Sequence, residues 1–113
     1  MRLLAIINPA AGRETFQRDI YDMLTGLADS DTYSKIELRY TQGIGHASTL
    51  AESEGGNFDI IAAVGGDGTV HETVNGMMQA GHKTPLAIIA AGTVNDFAVA
   101  VNLPAKTEDI RQM

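Results

Sequence analysis

Three short segments, in which apolar residues follow one another almost without a break, constrain the fold of this chain most. They are Leu3–Ile7, Asp59–Val64 and Pro85–Ala90. Strands that are apolar on both faces are typical of a parallel sheet covered by helices on both sides. A fourth segment, Lys35–Tyr40, instead alternates apolar and charged residues, which predicts a strand at the edge of the same sheet.

Apolar residues spaced three and four apart predict a helix after each strand. The first three helical stripes are formed by Phe16, Ile20, Met23, Leu24 and Leu27, by Ala47, Leu50 and Ala51, and by Val70, Val74, Met77 and Met78. A fourth, short helix is predicted within Gly92–Asn102, with Phe97, Ala98 and Val101 facing inward. Strands and helices thus alternate along the chain, and we predict an α/β fold with three αβα layers and a mainly parallel sheet.

The net charge of the chain limits the partners that it can bind. Its 14 acidic residues outnumber the 8 basic ones, which gives a formal net charge of -6. This charge repels nucleic-acid backbones at long range, so we expect no nucleic-acid partner. The lack of cysteine excludes disulfides and thiolate metal sites. No apolar run approaches the roughly 20 residues that a membrane-spanning helix needs, so we expect no transmembrane segment.

Four loops that contain glycine follow the four predicted strands. They are Asn8–Gly12, Thr41–Gly45, Gly65–Thr69 and Ala91–Asp96, and each also carries a small polar side chain. The carboxyl ends of parallel strands meet at one edge of a sheet, where ligands bind. Helix N-termini at this edge offer unpaired N–H groups and a partial positive charge, so we predict a phosphorylated ligand there. Neither the P-loop pattern nor the dinucleotide-binding glycine pattern is complete in this sequence.

The polar side chains of the third loop could either stabilise the local structure or bind a ligand. Thr69 and Glu72 have the spacing of a capping box, in which both side chains would bond to N–H groups at the start of the next helix. Asp67 would repel a bare phosphate, so it indicates either an Asx turn or a metal such as Mg²⁺, or a bound hydroxyl, that stands between it and the anion. Further along, Gly76 is expected to let its helix pack closely against a neighbour.

Three motifs of this sequence occur in the same order in a known family. They are Asn8–Gly12, the segment Gly65–Gly76 with the sequence GGDGTVHETVNG, and Gly92–Ala98 with the sequence GTVNDFA. Together they resemble the N-terminal nucleotide-binding domain of the diacylglycerol kinase catalytic family, which includes bacterial lipid kinases and the sphingosine kinases. The GGDGT motif alone also occurs in NAD kinases, whereas GTVNDFA favours the lipid kinases. The resemblance implies a nucleotide-binding fold of the NAD-kinase and diacylglycerol-kinase type.

The resemblance also implies an ATP-dependent lipid kinase that transfers the γ-phosphoryl group to a lipid hydroxyl, with diacylglycerol as the expected acceptor. ATP and Mg²⁺ are the implied cofactors, and Asp67 is the residue implied to engage the Mg²⁺–phosphate unit. The residues implied to bind the nucleotide are Asn8, Pro9, Ala10, Ala11, Gly12, Thr41, Gly65, Gly66, Asp67, Gly68, Thr69, Val70, His71, Glu72, Thr93, Asn95 and Asp96.

Family members are longer than these 113 residues. The resemblance implies a nucleotide-binding domain over residues 1–102, and over 103–113 the start of a connection to a C-terminal β-sandwich domain that this sequence does not contain. That domain would supply the lipid site, the general base and structural-metal ligands, so we expect the chain to be catalytically incomplete. Self-association through the uncovered domain interface is a further expectation. The implied location is the cytoplasm, with peripheral contact to the inner face of the membrane in the full-length protein.

Two positions depart from the family pattern, and two other functions stay open. Val99 stands where many relatives carry arginine, and His71 where asparagine is frequent. One alternative is an NAD-kinase-like enzyme that acts on a soluble acceptor, although the GTVNDFA segment argues against this function. The other is a non-catalytic nucleotide-binding regulatory module, for which the missing second domain is the main support.

Overall fold

The computed structural model describes residues 1–12, 14–29, 31–90 and 98–102. Within these ranges the chain forms one five-stranded sheet and three α-helices. The strands are β1 (Arg2–Ile7), β2 (Lys35–Tyr40), β3 (Ile60–Gly65), β4 (Leu86–Ala90) and β5 (Ala98–Asn102). The helices are α1 (Glu14–Leu27), α2 (His46–Glu54) and α3 (Asp67–Ala80), and a 3₁₀ turn, Gly55–Asn57, follows α2. The four predicted strands and the first three predicted helices are therefore confirmed.

The strand order of the sheet is β2-β1-β3-β4-β5. The first four strands are parallel, and β5 runs antiparallel to β4. Strand β2 lies at an edge, as its alternating sequence predicts. Because β2 and β3 pair with opposite sides of β1, the order reverses between β1 and β3. Such a reversal opens a crevice at the carboxyl ends of the two strands.

Two apolar clusters cover the two faces of the sheet and account for the three αβα layers. On one face, α1 packs Phe16, Ile20 and Leu24 against alternate residues of β1, β3 and β4. On the other face, α2 and α3 contribute Leu50 and Met77 and pack against the intervening residues of the same strands. Successive side chains of a strand point to opposite faces, so a sheet covered twice needs apolar residues at every position. This explains the unbroken apolar runs.

Helices α2 and α3 approach each other closely at Gly76. A Cβ atom at this position would overlap the carbonyl oxygen of Ser48 and would lie 3.0 Å from the Cβ atom of Ala51. The prediction that Gly76 allows close helix packing is therefore confirmed. The contact fixes α2 relative to α3, and both helices begin at the carboxyl edge of the sheet.

The prediction of a short helix within Gly92–Asn102 is wrong for residues 98–102, the part of this segment that the structure describes. Residues 98–102 form β5, which pairs with β4 from Leu86 opposite Asn102 to Ala90 opposite Ala98. A single helical turn is marginal alone, whereas β-branched valines at alternate positions suit a strand that pairs with the exposed edge of β4. The predicted site residues Thr93, Asn95 and Asp96 and the predicted connection over 103–113 lie outside the described residues.

Candidate functional site

A cavity of about 430 Å³ opens at the carboxyl edge of the sheet, beside the reversal of strand order. Its walls come from the loops after β1 and β2, from the first turn of α2 and from the first two turns of α3. The lining residues are Asn8, Pro9, Ala10, Thr41, Gln42, Gly43, Ile44, Ala47, Gly68, Thr69 and Glu72. A cavity of this size is typical of a site for a small-molecule ligand.

The loop after β1 is held by short hydrogen bonds. The Asn8 N–H donates to the carbonyl of Val64 at 3.0 Å, which joins the ends of β1 and β3. The side-chain oxygen of Asn8 accepts a hydrogen bond from the Ala10 N–H at 2.9 Å. From α1, Gln17 Nε2 donates to the carbonyls of Asn8 and Ala11 at 3.0 and 2.7 Å. The turn that Asn8 begins is thus a well-supported wall of the cavity.

The turn from β3 into α3 is tight on its inner side and open on its outer side. A Cβ atom at Gly65 would lie 2.7 Å from Thr69 Oγ1 and 3.3 Å from the Cβ of Asn8, so a side chain there would clash. At Gly66 and Gly68, nothing within the described residues comes within 4 Å of the corresponding Cβ position, the local backbone aside. Packing therefore does not require glycine at Gly66 and Gly68, and the space left by their missing side chains is open to a ligand.

The capping box predicted for Thr69 and Glu72 is wrong. Helix α3 begins at Asp67 with Gly66 as its N-cap, and the structure shows no side-chain hydrogen bond from that cap. The extended conformation of Gly66, with φ of -95°, lets the helix start before Thr69. The Oε2 atom of Glu72 instead accepts a hydrogen bond from the Gly45 N–H at 3.0 Å. Within the described chain, the first N–H groups of α3 are therefore available to other acceptors.

The loop after β2 forms another wall of the cavity and is tied at several points. The Thr41 N–H donates to the last carbonyl of β1 at 2.8 Å, and the Gln42 N–H donates to Nδ1 of His46 at 2.9 Å. Gly45, the N-cap of α2, has a φ of 87°, a left-handed conformation that favours glycine. Because the Gly45 N–H is the group that binds Glu72, this loop is joined to α3 as well as to its own helix.

The described part of the chain brings no basic side chain into the cavity wall. Arg39, near the end of β2, is paired with Glu37 at 2.9 Å and Glu54 at 3.2 Å, and the hydrogen bond with Glu37 raises the pKa of the guanidinium. Asp67 is exposed, and its carboxylate forms no hydrogen bond or ion pair with a described residue, so the Asx turn is not formed. An anion here would depend on backbone N–H groups and on a cation that accompanies it.

The structure brings part of the predicted nucleotide-binding set together. The predicted residues that line the cavity are Asn8, Pro9, Ala10, Thr41, Gly68, Thr69 and Glu72. The predicted residues that flank them in sequence without lining it are Ala11, Gly12, Gly65, Gly66, Asp67, Val70 and His71. The lining residues that the prediction missed are Gln42, Gly43, Ile44 and Ala47. Their place in the glycine-containing loop after β2, or just after it, is the feature that could have indicated them.

Comparison with known proteins decides the family. The family model described as the diacylglycerol kinase catalytic domain matches residues 2–113. The chain belongs to this family. Proteins named diacylglycerol kinase from Staphylococcus saprophyticus and from Staphylococcus aureus strain JH9 are each 38% identical to it over 104 residues, or 91% of the chain. The crystal structure of a diacylglycerol kinase from Bacillus anthracis matches 86% of the chain with a TM-score of 0.70 and 32% identity.

Membership of the diacylglycerol kinase catalytic family confirms the resemblance that the three motifs carry. The chain spans about a third of the length of these relatives, 33% and 32% of the staphylococcal proteins and 36% of the Bacillus anthracis chain. Among the described residues, no helix is both long enough and apolar enough to cross a membrane. The same residues include no group of three or more His, Asp or Glu side chains that could hold a metal ion by themselves.

Proposed function

We propose that this chain is the ATP-binding part of a lipid kinase, which transfers the γ-phosphoryl group of ATP to a lipid hydroxyl. The proposed acceptor is diacylglycerol, because relatives that match the chain are named diacylglycerol kinases. One observation carries the proposal. The cavity beside the strand reversal is continuous with the first turn of α3, where the described chain provides backbone donors but no side-chain cap.

The first turn of α3 has the properties that a phosphate group requires. The N–H groups of Asp67, Gly68 and Thr69 have no partner within the helix. The first helical hydrogen bond runs from the Val70 N–H to the carbonyl of Gly66, at 3.2 Å. The helix dipole adds about half a unit of positive charge at this end. The open space at Gly66 and Gly68 supports the approach of phosphate oxygens to the backbone.

The two carboxylates at the start of α3 differ in their availability. Glu72 accepts a hydrogen bond from the Gly45 N–H at 3.0 Å, whereas Asp67 is exposed and forms no side-chain bond within the described residues. We therefore assign Asp67, and not Glu72, to the Mg²⁺ that accompanies ATP. Bound Mg²⁺ would supply the positive charge that the β- and γ-phosphates need and that the described cavity wall lacks.

The acceptor side of the reaction is proposed to lie outside residues 1–113. The described cavity wall contains no His, Lys or Asp, and its one carboxylate, Glu72, is already engaged. We propose that a general base for the lipid hydroxyl comes from a further domain, which would correspond to the part of the longer relatives that this chain does not match. We likewise propose that the full-length protein is cytoplasmic and makes peripheral contact with the inner face of the membrane.

Phosphoryl transfer from labelled ATP to diacylglycerol in mixed micelles tests the proposal. The assay uses the longest natural gene product that contains this chain, with Mg²⁺. We expect transfer, and we expect Asp67→Ala and Asp67→Asn to lower kcat/KM by about 100-fold, as removal of an electrostatic contact to the transition state does. Asp19→Asn is the matched control, because Asp19 is an exposed carboxylate on α1, on the other face of the sheet. It should leave the rate unchanged.

Asp67 also interacts favourably with the dipole of α3, so a stability measurement must accompany the kinetics. Loss of that interaction is expected to cost only about 0.5 kcal/mol in the free energy of unfolding, measured by urea titration. Full activity of Asp67→Ala would refute the role given to this residue. Transfer to NAD but not to diacylglycerol would identify the NAD-kinase-like alternative. ATP binding without transfer to either acceptor would favour the regulatory module.

A further inference from the structure

Ile44 is the most exposed large apolar side chain among the described residues, and it lies in the wall of the cavity. It is fully accessible, whereas other residues of its size in the described chain are mostly packed on the sheet. An isolated exposed isoleucine is common on protein surfaces. One that is fixed at the rim of a ligand-sized cavity calls for a different explanation.

The loop that carries Ile44 is fixed on both sides of it. Before it, the Gln42 N–H donates to Nδ1 of His46 at 2.9 Å. After it, the Gly45 N–H donates to Oε2 of Glu72 at 3.0 Å, and Gly45 takes up its left-handed conformation. These bonds hold the loop at the cavity rim, where it does not fold back on the core. Two side chains from different helices, His46 and Glu72, thus hold the loop on either side of Ile44.

The cavity is chemically divided along the sheet. The wall that follows β2 offers the apolar side chain of Ile44, and the wall at the start of α3 offers the N–H groups around Gly68 and Thr69. Strands β2 and β3 lie on opposite sides of β1, so their ends are two strand spacings, or about 10 Å, apart. A ligand that fits both walls has an apolar part at one end and an anionic group at the other.

We infer that Ile44 is a specificity-determining contact for the base of the bound nucleotide and that Glu72 is a positioning residue that holds the Ile44 loop. The inference rests on the proposed function, because it takes the ligand to be a nucleoside triphosphate. Glu72 acts here through its hydrogen bond to Gly45 and not through its charge. The nucleobase lies over the β2 end of the cavity, and the phosphates lie over the start of α3.

A comparison of ATP with inorganic triphosphate tests the role of Ile44. Both ligands are titrated into the 113-residue chain with Mg²⁺ and followed by backbone and isoleucine-methyl NMR shifts. We expect Ile44→Ser to weaken ATP binding about five-fold, the effect of uncovering roughly 40 Å² of apolar contact, and to leave triphosphate binding unchanged. Met78→Ser, which removes another exposed apolar side chain at the far end of α3, is the matched control and should change neither. In the wild-type chain, ATP but not triphosphate should shift the Ile44 methyl resonances through the ring current of the base.

Two substitutions of Glu72 distinguish its role in positioning the Ile44 loop from an effect of its negative charge. Glu72→Gln keeps an oxygen that accepts from the Gly45 N–H, so it should bind ATP as the wild-type chain does. Glu72→Ala should weaken ATP binding to the same extent as Ile44→Ser and leave triphosphate binding unchanged. If Glu72→Gln weakens both ligands, the carboxylate charge is what matters, and the positioning role is refuted.

The outcomes also separate this inference from the proposed function. Equal ATP affinity of Ile44→Ser and the wild-type chain, with no shift of the Ile44 methyls, would overturn the inference and leave ATP binding intact. Failure of the wild-type chain to bind either ATP or triphosphate at millimolar concentrations would refute the proposed function itself, and the base contact with it.

Discussion

Substitution of Gly76 by alanine is expected to destabilise the protein, although alanine is the better helix former. Gly76 lies where α3 crosses the backbone of α2, and an added Cβ would overlap the carbonyl oxygen of Ser48 and lie 3.0 Å from the Cβ of Ala51. The main clash is with backbone, so no change of rotamer relieves it. The two helices must move apart, which loosens the cluster that includes Met77 and Leu50.

The magnitude follows from two opposing effects. Overpacking a well-packed contact costs typically about 1–3 kcal/mol, and the upper part of that range applies where backbone must move. Replacing glycine by alanine inside a helix recovers up to about 1 kcal/mol. We therefore expect Gly76→Ala to lower the free energy of unfolding by about 1–2 kcal/mol and the Tm by roughly 5–10 °C.

Urea and thermal unfolding followed by circular dichroism measure this effect. Gly26→Ala is the matched control, because Gly26 is an exposed helical glycine of α1 whose added Cβ would meet no other part of the described chain within 4 Å. This control should be as stable as the wild-type chain or slightly more stable. If Gly76→Ala gained stability as Gly26→Ala does, the two helices would not be in the close contact described, and the reasoning would be refuted.

Two other substitutions test single interactions. The Arg2 N–H donates to Asp59 Oδ2 at 2.7 Å, and this bond, with the Arg2 charge, lowers the pKa of Asp59. Its stabilisation is therefore present above the unfolded pKa of about 3.9 and is lost as the pH falls through the lower folded value. The urea midpoint of Asp59→Asn should thus lie below that of the wild-type chain at pH 6, and the difference between the two midpoints should shrink toward pH 3. A difference that does not change with pH would show that the ionised carboxylate of Asp59 does not stabilise the fold through Arg2. Gly66→Ser adds a good N-cap in open space, so the free energy of unfolding should stay equal or rise by a few tenths of a kcal/mol. The same substitution should weaken the binding of ATP and triphosphate, and unchanged affinity for both ligands would argue against phosphate binding at this turn.

Much of the fold could be predicted because burial on two faces leaves a direct trace in the sequence. The runs at β1, β3 and β4 are apolar at every position, and β2 alternates because one of its sides is an edge. The cavity also followed from the fold, since parallel strands bring their carboxyl ends, and the loops after them, to one edge. Each of these inferences depends only on local pattern and on strand direction.

The errors fall where local patterns have two solutions and tertiary contacts choose between them. Ala98–Asn102 is compatible with a short helix or with a strand, and the open edge of β4 selected the strand. Thr69 and Glu72 have the spacing of a cap, yet the helix begins at Asp67, and Glu72 binds Gly45, a residue of a different loop. No spacing within one helix could indicate that partner.

The missing cap is itself informative about function. A serine or aspartate at an N-cap would satisfy one of the orphan N–H groups of α3 and stabilise the helix by about 1 kcal/mol relative to alanine, while glycine forgoes only a few tenths. Gly66 therefore costs the protein little and keeps the donors open, and the space beside it is not filled by any described side chain. Neither carboxylate at the start of α3 bonds to these donors within the described residues, because Asp67 is exposed and forms no side-chain hydrogen bond and Glu72 accepts from the Gly45 N–H. A purely structural helix start would gain from a cap at this position, so a start that is left open beside a ligand-sized cavity agrees with the proposed function, in which an anion serves as the cap when it binds.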